Sequence, residues 1–78
     1  MSLTFDDDIA RLADLVTVEE AETLLDWLAR YPNGRVDLAQ LQHLHAANLQ
    51  VLMATRPTIL HWPHDPDIHA WLVAALHD

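Results

Sequence analysis

Six histidines are the residues of this chain whose types and spacing could do chemistry: His43, His45, His61, His64, His69 and His77. His43 and His45 form a His-x-His pair, and residues two apart on a strand point to the same side. Both imidazoles could then reach one metal ion, with His61 as a third ligand from a neighbouring strand. Zinc wants three or four converging ligands with hydrogen-bonding partners behind them. The chain has no cysteine to help, and its histidine spacing follows no known metal motif. The plainer reading is a set of scattered surface histidines.

Other catalytic chemistry lacks its parts. Gly34 is the only glycine, so there is no glycine-rich phosphate loop, and there is no lysine. Ser2 is the only serine and sits at the terminus, where fraying is expected. The carboxylates are numerous, yet none falls into a recognisable catalytic pair. A 78-residue chain also leaves little room for the ~300–1,000 Å³ pocket of a small-molecule site. Neither an enzyme nor a cofactor is expected.

The elements that would position these residues come next. Thr17 with Glu20 three residues on makes a capping box, which opens a helix from Val18 to Arg30. Ala21, Leu24, Leu25 and Leu28 share its apolar face, with Trp27 at the edge and Glu19, Glu22 and Asp26 opposite. Tyr31-Pro32-Asn33-Gly34 ends it, since proline cannot continue a helix and Asn-Gly tolerates positive φ. Arg35–Leu38 reads as a short strand. A second helix spans Ala46–Thr55 with Leu49, Leu52 and Met53 inward, stopped by Arg56-Pro57. Thr58–Trp62 is a β-branched and aromatic strand bounded by prolines. Asp65 and Pro66 then suit the N-cap and first turn of a last helix, where Ile68, Trp71, Leu72, Ala75 and Leu76 recur at helical spacing. Trp71 is expected in the core.

The first sixteen residues read two ways. Leu3-Thr4-Phe5 suits a short edge strand, while Ile9, Leu12, Ala13 and Val16 fall at helical spacing behind an acidic run. Strands alternating with helices predict an α/β domain over residues 1–78. Its sheet has three to four strands, partly parallel, with about three helices mainly on one face.

Four arginines against twelve acids give a net charge of −8, which argues against nucleic acid, because such binding depends on neutralising phosphates. An acidic surface instead suits solubility and basic protein surfaces. The N-terminus has no basic region or long apolar run, and no stretch nears the ~20 apolar residues of a membrane span. Without cysteines, the expected compartment is a reducing cytoplasm.

The run from Val36 to Leu52 has a distinctive spacing: Asp37-Leu38 in a strand, then His45-Ala46-Ala47-Asn48 opening a helix. It resembles the signature of the STAS domain, named for sulphate transporters and anti-sigma-factor antagonists. There an Asp-Leu-Ser strand precedes an Asp-Ser-x-Gly step into a helix. The resemblance covers Arg11 to Trp62 and only loosely the last helix, implying a shortened version. It also favours a strand over Arg11–Thr17, and that reading is adopted here.

Aligned in this way, the family's Asp falls on His45, its Ser on Ala46 and its Gly on Asn48. In the family, a kinase phosphorylates that serine, and the added charge of roughly −1.5 to −2 disrupts the partner interface. Ala46 has no hydroxyl, so that switch is lost. Asn48 is a reasonable stand-in for glycine where the backbone needs an unusual angle.

The resemblance implies a protein–protein module in bacterial signalling, whose partner is an anti-sigma factor, a serine kinase or a histidine-kinase assembly. The contact residues would be His45, Ala46, Asn48 and Gln50. A small metal-binding protein using His43, His45 and His61 is the alternative. A third reading is a dimerising subunit with its acidic face outward.

Overall fold

The structure, a computed structural model, describes residues 2–76. His77 lies outside them. Strands β1 (Leu3–Asp6) and β2 (Ile9–Leu12) form an antiparallel hairpin around Asp7 and Asp8. Asp7 turns the chain with φ 54°, a left-handed conformation that Asp tolerates better than most residues. Asp14, at φ 55°, bends the chain again into β3 (Asp14–Val16). Residues 9–16 are therefore not a helix, nor the single strand expected over Arg11–Thr17, but two short strands in different sheets, broken at Asp14. Their helical spacing is overridden because β2 has a pairing partner on each side.

Helix α1 (Val18–Arg30) leads to β4 (Arg35–Asp37) and then to β5 (Leu41–Leu44). Helix α2 (Ala46–Thr55) leads to β6 (Thr58–His61), and α3 (Pro66–Leu76) follows. The main sheet has the order β1-β2-β4-β6, with β2, β4 and β6 parallel. A second, two-stranded parallel sheet pairs β3 with β5. The α/β class and the partly parallel four-stranded sheet are as expected. The separate β3–β5 ladder is not, because Leu41–Leu44 reads as connection in sequence.

One face of the main sheet is apolar. Leu3, Leu12, Ala10 and Val36 are buried on it, against Leu24, Trp27 and Leu28 of α1, Leu52 of α2 and Leu72 of α3. Each such leucine contributes about 1.5–3 kcal/mol of burial energy. The opposite face carries charge: Arg11 lies 3.3 Å from Asp6 and 3.7 Å from Asp37, and Arg35 lies 3.1 Å from Asp8. The Arg35 guanidinium, through its hydrogen bond, holds the Asp8 carboxyl below the ordinary carboxylate range.

The helix ends follow the expected chemistry. The Thr17 N–H donates to Glu20 at 3.0 Å in the capping box. Asp65 Oδ1 accepts from the N–H groups of Asp67 and Ile68 at the start of α3. Ser2 is not frayed: its hydroxyl lies 2.6 and 2.7 Å from the Glu20 oxygens, and its carbonyl accepts from the Ala13 N–H.

Packing expectations need correction at Leu25, Met53 and Trp71, and the role of Gly34 changes. On α1, Leu25 is exposed, whereas Trp27 is buried, its indole packed against Phe5 and Tyr31 at centroid distances of 5.2 and 5.1 Å. Gly34 does not have positive φ. It is needed for space, since an added Cβ would stand 2.6 Å from the Trp27 ring. Met53 and Trp71 face outward, their helices being seated instead by Leu52 and Leu72. Among the described residues, no helix is long and apolar enough to cross a membrane.

Candidate functional site

The parallel pair β3 and β5 determines where the predicted site residues lie. In register, Val16 sits beside Leu44, so the two strands end together. Thr17 then caps α1 and His45 caps α2. Two helices thus start side by side at the carboxyl ends of neighbouring parallel strands, the edge where open α/β sheets usually bind ligands.

Two hydrogen bonds join the helix entries. The His45 N–H donates to the Val16 carbonyl at 3.1 Å. The Asn48 side-chain amide donates to the Thr17 carbonyl at 2.6 Å. Asn48 is fully buried, and its Oδ1 has no protein partner. It therefore cannot be a contact residue, and its backbone is not left-handed either. Its side chain acts as an internal strut, a role glycine could not fill.

His45 is exposed, and its Nδ1 accepts from the Ala47 N–H at 3.0 Å. The imidazole thus does the work of an N-cap carboxylate at the position where the STAS signature has Asp. Ala46, at the first position of α2, is exposed, and so is Gln50 one turn later. Met53 and Ala54 continue the same outward stripe. No acid stands in the first turn of α2, whereas α1 has Glu19 and Glu20 there. The positive end of the α2 dipole is thus left without a carboxylate.

Beside the helix entries lies an open groove of about 390 Å³, lined by Leu15 through Val18 and by His43 through His45. Leu15 is 56% exposed and Val18 52%. Sequence reasoning missed both. Leu15 follows a kink that alternation cannot register, and Val18 occupies an N-terminal helix position where apolar periodicity has barely begun.

The three candidate ligands His43, His45 and His61 do not converge. His43 lies in β5 of the small sheet, His61 in β6 of the main sheet, and Nδ1 of His45 is engaged in capping. Among the described residues, no three His, Cys, Asp or Glu side chains are grouped to hold a metal ion. The site formed by His43, His45 and His61 does not assemble. No family model matches this chain, and neither curated proteins nor solved structures yielded a match.

Proposed function

We propose that this chain is a STAS-like protein–protein interaction module of bacterial signal transduction that works without the serine switch. It acts in the cytoplasm, on an anti-sigma factor, a serine kinase or a histidine-kinase assembly. The observation that carries this reading is the exposed, uncharged entry of α2, with His45, Ala46 and Gln50 on the surface beside the apolar rim of Leu15 and Val18. Such a rim of apolar side chains around a polar helix entry fits a protein partner better than a substrate, which would need enclosure. With alanine at position 46, binding is constitutive or is controlled by modification of the partner.

The experiment is affinity capture from a lysate of the source organism with the wild type and Ala46→Asp. Aspartate at the first position of α2 is compatible with folding, because a carboxylate there complements the helix dipole by about 0.3–1 kcal/mol. It nevertheless places charge on the contact surface. A kinase, anti-sigma factor or chemotaxis component captured by the wild type and lost in the variant is the expected result. Equal capture by both forms, or no specific partner, would remove the α2 surface from consideration.

A further inference from the structure

His45 and His69 use the same ring nitrogen in opposite senses. At the start of α2, Nδ1 of His45 accepts from the Ala47 N–H at 3.0 Å. An imidazole nitrogen accepts only while it carries no proton, so this bond requires a neutral ring with its proton on Nε2. At the start of α3, Nδ1 of His69 lies 3.3 Å from the Pro63 carbonyl oxygen. A carbonyl only accepts, so here Nδ1 is the donor. The His69 ring also stacks on Trp62 at a centroid distance of 5.9 Å. Among the described residues, no other histidine ring makes a hydrogen bond within the chain.

Protonation therefore acts differently on the two helix entries. The imidazolium of His69 keeps its Nδ1–H, so it still donates to Pro63 and still stacks on Trp62. The imidazolium of His45 carries a proton that faces the Ala47 N–H, two donors opposed, and the cap is lost. Its charge would also stand at the positive end of the α2 dipole, where no acid in the first turn offsets it. The titratable groups closest to this entry on the elements packed around it are His43 of β5, Asp14 of β3, Glu19 and Glu20 of α1, and Asp67 and His69 of α3. None of these carboxylates forms an ion pair with His45. Glu20 is already engaged by Ser2 and Thr17.

We propose that His45 is a pH-sensitive latch on α2, whose protonation in mild acid releases the first turn of that helix while the α3 entry stays closed. The release is confined to that turn. The other two links at the α2 entry run from the His45 N–H to the Val16 carbonyl and from the Asn48 amide to the Thr17 carbonyl, and neither contains a titratable atom. Ala46 and Ala47 have no polar side chain to take over the cap, so the turn frays. The latch belongs to the chain itself and operates whether or not the α2 entry meets a partner.

Nuclear magnetic resonance of the protein from about pH 7.5 to about pH 5.5, within the range where imidazoles change charge, tests the proposal. At the upper end, ring nitrogen shifts should show Nδ1 unprotonated in His45 and protonated in His69. As His45 titrates, the Ala47 amide proton should move upfield and the Cα shifts of Ala46 and Ala47 toward coil values, in step with the ring. The Ile68 amide, held by Asp65, should not follow. His45→Asp keeps a charged carboxylate over this range and should abolish the Ala47 change, whereas His43→Gln should retain it. A proton on Nδ1 of His45 at neutral pH, or an Ala47 amide that ignores the ring titration, overturns the proposal. An Ala47 change that persists in His45→Asp or disappears in His43→Gln does the same. So does an Ile68 amide that shifts equally, since the whole fold would then be opening.

Discussion

Gly34 shows how much a single residue can depend on a distant neighbour. An Asn-Gly pair after a helix suggests a backbone angle only glycine favours, yet the requirement here is room for the Trp27 ring. That ring is buried and packs against Phe5 and Tyr31. Gly34→Ala would place its Cβ 2.6 and 2.7 Å from two ring carbons and 2.9 Å from the Tyr31 carbonyl oxygen. The variant should lose about 1–3 kcal/mol, the usual cost of overpacking, read as a lower urea midpoint with an unchanged slope. Asn48 is a second case. Its type suggested a special backbone, whereas its buried side chain instead ties the two helix entries together.

At the scale of elements, the helix ends carry most of what was legible. Thr17-x-x-Glu20 and Asp65-Pro66 both behave as their chemistry dictates, because capping depends only on residues within one turn. His45 is the less familiar cap. A carboxylate is a better acceptor for the first N–H groups and also complements the positive helix end. His45→Asp should therefore stabilise the fold by about 0.5–1 kcal/mol at neutral pH, measured as a raised denaturation midpoint. No gain, or a loss, would mean that the imidazole makes contacts that capping alone does not explain. Faces were harder to read than ends. Met53 and Trp71 lie on helices so uniformly apolar that periodicity gives no direction, and only the neighbours decide which side is buried.

At the scale of the whole molecule, acid should be the condition that loosens the fold. Burial, the largest influence on Glu20, pushes its carboxyl up. The hydrogen bonds from the Ser2 hydroxyl and from the Thr17 N–H and hydroxyl outweigh that, so it stays below the ordinary range. Asp8 is lowered as well, by Arg35, although solvent screens that exposed pair. Groups held low in the folded chain are protonated first in the unfolded one. Their contribution is therefore complete above the ordinary carboxylate range and is lost as pH falls through their folded values. Glu20→Gln should be less stable than the wild type at neutral pH and should show a flatter decline below it, followed by urea midpoints across pH. A parallel decline in both proteins would mean that other carboxyls govern the acid limb.

By itself, the sequence determined the local features of this protein: where the three helices begin, where prolines stop two of them, the alternation that makes an α/β domain, and its net negative charge. Each depends on residues a turn or two apart. What only the tertiary structure decided is long-range. It pairs β3 with β5 so that two helix entries meet, buries Asn48 between them and parts His43 from His61. It also leaves Trp71 facing outward. Those outcomes depend on strand register and on which elements become neighbours, which one-dimensional periodicity does not encode.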